Sequence, residues 1–129
     1  MRKLISLLLS ALLFTGCASQ TDTTTYQQID AAEAETMMQE ESDYIILDVR
    51  TEEEYEEKHI PGAICIPNET IGSEEISELS DKNRLIMVYC RSGNRSKQAA
   101  GKLVKLGYTN IVEFGGINDW TGDTVSGTE

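Results

Sequence analysis

The chain has one histidine, His59, and no two of its three cysteines stand in C-x-x-C spacing. That leaves too few ligands of the usual kind for a zinc site. It also leaves no resolving thiol beside Cys90, which argues against a disulfide oxidoreductase. Three cysteines in unlike settings do not read as a disulfide framework, and a Cys65–Cys90 bridge in an oxidising compartment is only the minor alternative. Cations are scarce: 11 Lys and Arg against 22 Asp and Glu give a formal net charge of −11. Charge alone therefore disfavours nucleic acid and anionic lipid as partners. The apolar stretch Leu4 to Phe14 is too short for an ordinary membrane span. No internal repeat is visible. The 129 residues suffice for one domain with one core.

The N-terminus carries its own signal. Arg2 and Lys3 precede the apolar segment, which ends in Leu13-Phe14-Thr15-Gly16-Cys17. This resembles a bacterial lipoprotein signal, in which small residues precede a cysteine that is lipidated and becomes the new N-terminus. Phe14 departs from it, standing where that signal favours Leu or another aliphatic residue. The resemblance implies cleavage of residues 1–16 and a diacylglycerol on Cys17, usually with a third acyl chain such as palmitate. Several chains together give the anchoring that one cannot. An ordinary signal peptide cut near Ala18 is the alternative. Residues 17–25, polar and rich in Thr, read as a tether. The working domain is then expected over residues 26–121, outside the cytoplasm and lipid-anchored to a bacterial membrane, with residues 122–129 as a tail.

Inside that domain apolar runs alternate with helical patterns. Strands are predicted at Tyr26 to Ile29, Tyr44 to Val49, Ala63 to Ile66, Leu85 to Tyr89 and Ile111 to Glu113. Helices are predicted at Ala31 to Glu40 behind an Asp30 N-cap, from Thr51 behind a Thr51–Glu54 capping box, at Ser73 to Leu79, and at Lys97 to Leu106 stopped by Gly107. Runs such as Tyr44-Ile45-Ile46-Leu47 have no polar alternation, as expected of strands covered on both faces. The pattern is α/β: a mainly parallel sheet flanked by helices on both faces. Ligands bind at the carboxyl ends of the strands in such sheets, and both Asp48 and Cys90 fall there. The acidic run Glu52–Glu54 reads as a solvated helix face.

Cys90 ends a buried strand and opens a polar loop, Arg91-Ser92-Gly93-Asn94-Arg95, that leads into a helix. Backbone N–H groups at such a loop and helix N-terminus favour an anion. A cysteine acts as nucleophile through its thiolate, which helix N-termini and nearby cations favour. Gly93 lets the backbone curl, while Arg91 and Arg95 are suited to an oxyanion. Cys65, within Ala63-Ile64-Cys65-Ile66, reads as a small core hydrophobe.

Four landmarks carry a further resemblance: Leu47-Asp48-Val49-Arg50 with Glu53-Glu54-Tyr55; His59-Ile60-Pro61-Gly62-Ala63; Tyr89-Cys90-Arg91-Ser92-Gly93-Asn94-Arg95-Ser96; and Gly115-Gly116 with Trp120. In this order and spacing they resemble a single-domain rhodanese, a sulfurtransferase, over Tyr26 to Trp120. The resemblance implies a rhodanese-like five-stranded parallel sheet. It implies a Cys90 persulfide that carries sulfane sulfur from a donor such as thiosulfate to cyanide or a thiol. It implies Arg91, Ser92, Gly93, Asn94 and Arg95 as the cradle, and Asp48, Arg50 and His59 in supporting positions. Neither cofactor nor metal is implied, no nucleic acid is a partner, and a monomer is expected.

Two readings remain for His59: a general base for Cys90, or a structural ring bonded to backbone near the Pro61-Gly62 turn. Asp48 either steadies a loop arginine or N–H, or caps the strand end. Trp120 and Tyr89 read as packing residues. Two rival functions stand beside sulfur transfer. One is a phosphatase or arsenate reductase on the same fold, although Arg95 follows Cys90 after four intervening residues rather than the five of that loop. The other is a lipid-anchored, non-catalytic module that senses sulfur or redox state, or binds a partner.

Overall fold

The computed structural model describes residues 26–128; the expected signal, Cys17 and the whole of the expected tether lie outside the described residues. Five strands, β1 (Gln27–Gln28), β2 (Tyr44–Asp48), β3 (Ile64–Cys65), β4 (Leu85–Cys90) and β5 (Ile111–Gly116), form one sheet in the order β1-β5-β4-β2-β3, and every pairing is parallel.

The apolar runs are explained by burial on both faces. Side chains alternate across a strand. One face therefore collects Leu47, Val49, Ile86, Val88 and Cys90, covered by Ala99, Ala100 and Leu103 of helix α3 (Asn94–Lys105). The opposite face collects Ile46, Met87, Tyr89, Val112 and Phe114, covered by Ala34 of α1 (Ala31–Glu40) with Ile60, Ala63 and Ile117. The α/β architecture with helices on both faces is thus the observed one. Asp30 caps α1 by accepting from the Glu33 N–H at 2.8 Å, and Glu33 accepts from the Asp30 N–H at 3.0 Å. Thr51 and Glu54 cap α2 (Glu52–Glu57) in the same way.

The structure differs from the sequence reading in several places. The helix expected at Ser73 to Leu79 is a single 3-10 turn, Ser77–Leu79. Its two apolar residues, Ile76 and Leu79, are too few to bury a helical face, and short helices depend on such burial. Helix α3 starts at Asn94 rather than Lys97, because Gly93 reverses the chain with φ 108° directly at its N-terminus. The expected tail folds back. The His59 N–H donates to the Val125 carbonyl at 2.8 Å, the Val125 N–H returns to the His59 carbonyl at 2.9 Å, and the Gly127 N–H reaches the Glu56 carbonyl at 2.8 Å. Finally, Cys65 is half-buried on the edge strand β3 rather than in the core. Asp48 of β2 is register partner to both Cys65 and Tyr89, so a strand stands between the two cysteines, and among the described residues both thiols are free.

Candidate active site

Cys90 is the last residue of β4 and lies on the sheet face that α3 covers, 1% exposed. Three residues on, the Gly93 N–H donates to its Sγ at 3.0 Å. The loop between them is pinned from β5. The β4–β5 register slips after Val88, so that Val88 pairs with Glu113 but Cys90 pairs with Gly116. The extra residue in β5 is accommodated by Gly115 at φ 88°. Gly116 then lies flat against the loop: a Cβ there would collide with the carbonyl group of Arg91 and stand 2.6 Å from the Ser92 nitrogen. The Asn118 N–H holds the same Arg91 carbonyl at 3.2 Å. The Gly115-Gly116 pair thus permits close contact with the cysteine loop.

The predicted loop residues divide by position. Arg91 is exposed and Ser92 is exposed, whereas Gly93 is buried. Asn94 and Arg95 belong to the first turn of α3, where the leading N–H groups of a helix have no partner within it. Arg95 does not point into open space. Its Nη1 donates to Glu54 Oε1 at 2.8 Å and its Nη2 to Glu54 Oε2 at 3.1 Å. Arg91 Nη1 stands 3.9 Å from Glu54 Oε2. Glu54 is therefore not part of a merely solvated face. Its Oε1 also accepts from the Thr51 N–H at 3.0 Å. The Arg95 hydrogen bonds, aided by those from Thr51, hold its carboxyl down at about 2 against burial. The Arg95 guanidinium is raised in turn, chiefly by its bond to Glu54.

Asp48, Arg50 and His59 gather on the other side of the sheet. Asp48 Oδ2 accepts from Arg50 Nη2 at 2.7 Å and from the Tyr89 hydroxyl at 2.7 Å. Arg50 Nη2 also donates to the Lys58 carbonyl at 2.7 Å. Burial pulls the Arg50 guanidinium down, but its bond to Asp48 and that residue's charge outweigh burial and leave it raised. Asp48 thus steadies Arg50, not a loop arginine, and it caps its own strand end by accepting from the Arg50 N–H at 2.9 Å. Tyr89 does more than pack: its oxygen also accepts from the Ile60 N–H at 3.1 Å. Burial, then Asp48, push its phenol above the usual range. His59 is fully buried, its ring stacked on Tyr55 with centroids 3.7 Å apart and its Nδ1 2.7 Å from the Tyr55 carbonyl. Its Nε2 is buried without a partner among the described residues. These contacts are those of a structural ring rather than a base for Cys90.

Sequence reasoning assigned no role to two residues that touch the cysteine environment. Ser96 Oγ lies 3.4 Å from Cys90 Sγ. Glu113, 2% exposed, has its Oε2 2.5 Å from Ser96 Oγ and 2.9 Å from the Gly115 N–H. The available signal was a charged residue inside Ile111-Val112-Glu113-Phe114, a strand otherwise apolar on both faces. Cys65 offers no second nucleophile: burial, with Asp48 next, pushes its thiol up to about 12.

The rhodanese-like domain family matches residues 30–123. Among curated proteins, the chain is 38% identical over 73 residues to the thiosulfate sulfurtransferase PspE of Escherichia coli K12, covering 57% of this chain and 70% of that one. It is 34% identical over 96 residues to the thiosulfate sulfurtransferase GlpE of Coxiella burnetii, covering 74% and 87%. Among solved structures, a rhodanese with anions from E. coli superposes with a TM-score of 0.60 at 36% identity, over 65% of this chain and 99% of that one. The rhodanese-like domain of an Anabaena protein superposes with a TM-score of 0.70 at 30% identity, over 79% and 80%.

Proposed function

The chain belongs to the rhodanese-like domain family, and on that footing we propose that it is a sulfurtransferase whose carrier is a Cys90 persulfide. The observation that supports this most is the Gly93 N–H directed at Cys90 Sγ at 3.0 Å, at the start of α3 and between two arginines. The Cys90 thiolate attacks the outer sulfur of a donor such as thiosulfate. A bond forms from Sγ to that sulfur, the old sulfur–sulfur bond breaks, and its electron pair leaves with sulfite. The persulfide's outer sulfur keeps the negative charge and lies within the loop's N–H groups. An acceptor, cyanide or a thiol, then takes that sulfur and the Cys90 thiolate returns. No cofactor enters either step.

Within this scheme Arg91 meets the anionic donor, being exposed and held only at 3.9 Å from Glu54. Arg95 and Glu54 brace the loop. Asp48, Arg50 and His59 support the walls from the opposite face. Incubating the chain with thiosulfate and cyanide tests the proposal. Thiocyanate is expected from wild type and none above background from Cys90→Ser. Hydrolysis of an aryl phosphate without thiocyanate would favour the phosphatase rival, and neither activity would favour a non-catalytic module.

We further propose that Cys17 carries the lipid anchor and places this domain outside the cytoplasm; the residues Leu13 to Cys17 support it. Cys17→Ala should release the chain from membranes, and unchanged membrane association would refute the anchor.

A further inference from the structure

Behind Cys90 lies a buried carboxylate for which neither packing nor charge pairing accounts. Glu113 follows Ile111 on the α3 face of β5 and is 2% exposed. Among the described residues no cation bonds to it; its Oε2 accepts from the Gly115 N–H at 2.9 Å and meets Ser96 Oγ. Burying a carboxylate is costly unless its charge is compensated, so its persistence here calls for a partner. Ser96 supplies the connection. Its hydroxyl has one proton to give and two lone pairs. It lies 3.4 Å from Cys90 Sγ and against Glu113, with the Gly93 and Gly115 carbonyls at 3.1 and 3.2 Å as competing acceptors. The charged carboxylate is the strongest acceptor of the three, so a thiol at Cys90 donates to Ser96 while Ser96 donates to Glu113.

We propose that Cys90 and Glu113 share a single proton through the Ser96 hydroxyl, so that ionising the nucleophile moves charge within the site instead of adding it. The step balances. The S–H bond breaks and leaves its electron pair on Sγ. The proton passes to Ser96 Oγ as the original hydroxyl proton passes to Glu113 Oε2. A neutral thiol and a carboxylate become a thiolate and a neutral acid, with the total charge unchanged. The hydroxyl then donates to the thiolate, adding a second donor to that of Gly93. At rest the thiol form is the less oxidisable one. This rests on the persulfide reading for its purpose, but not for its test.

The charged groups around the pair are identifiable. On the cysteine side are Arg91 and Arg95, with Glu54 across from both. On the Glu113 side a groove is lined by Asp30 at the start of α1, Lys97 of α3 and Asp119 after β5. Two coupled groups titrate as a pair in two steps. The rate of Cys90 alkylation by iodoacetamide, read by mass on the Cys90 peptide of the full chain, should therefore rise with pH in two steps in wild type. In Glu113→Gln, which keeps the shape but cannot take the proton, one step should be lost. A single step in wild type overturns the proposal even if the variant does not fold, and so do two unchanged steps in folded Glu113→Gln. Alkylation needs no sulfur transfer, so the two ideas fail separately. Persulfide formation with one-step alkylation sinks the shared proton alone; two-step alkylation without a persulfide sinks the sulfurtransferase alone.

Discussion

Glu54 of α2 grips Arg95 of α3 with both carboxylate oxygens, at 2.8 and 3.1 Å, and so ties the first turn of one helix to the first turn of the other across the cysteine loop. The folded protein keeps this carboxyl ionised down to about 2, against an ordinary 4.5. The sign follows. Above 4.5 both folded and unfolded chains hold it charged, and its stabilisation is complete. As pH falls from 4.5 toward 2 the unfolded chain takes up the proton first, and the stabilisation is lost. At about 1.4 kcal/mol per unit the loss is at most about 3 kcal/mol, and solvent at the Arg95 end reduces it. Denaturant melts of Glu54→Gln should show a weaker fall in stability between pH 5 and about pH 3 than wild type. The same dependence in both would contradict the pairing.

Gly116 leaves no room for a side chain. Gly116→Ala drives a methyl into the Arg91 carbonyl, and backbone on both sides must move. Overpacking of this kind costs about 1–3 kcal/mol, and here the displaced segment is the cradle itself. The expected result is a lower melting temperature together with a loss of sulfur transfer larger than the stability loss explains.

Tyr89→Phe isolates a different effect. The hydroxyl serves Asp48 and the Ile60 N–H, both buried. Removing it leaves two buried polar groups each short of a bond, at about 1–3 kcal/mol for each such group. Because this network faces away from Cys90, unfolding free energy should fall by that order while alkylation of Cys90 stays near wild type.

The sheet and its helices were legible because burial on both faces writes itself as continuous apolar runs, and because Asp30–Glu33 and Thr51–Glu54 are local caps with local sequence signatures. The cysteine loop was legible for the same reason: Cys90, Gly93 and α3 are adjacent in the chain. What was not legible is non-local. Glu54 and Arg95 lie 41 positions apart, as do Asp48 and Tyr89. The Ser96–Glu113 contact spans 17. The acidic run at Glu52–Glu54 looked uniformly solvated, yet only Glu54 of the three meets a loop arginine. The tail carried no apolar period because a single antiparallel bridge at Val125 needs none.

That bridge gives its own prediction. Ending the chain at residue 122 removes both His59–Val125 hydrogen bonds and the Gly127 bond to Glu56. With net values of about 1 kcal/mol per backbone bond, a loss of about 1–3 kcal/mol is expected in a chemical melt, with the fold retained. An unchanged melt would contradict docking of the tail.

In the proposed function Cys90 carries sulfur. Intact mass spectrometry of the chain after exposure to thiosulfate, with the modified peptide sequenced, reads that sulfur. A gain of one sulfur atom on Cys90, reversed by cyanide and absent in Cys90→Ser, is expected. A folded protein with no added sulfur on Cys90, or with the sulfur on Cys65, would contradict it.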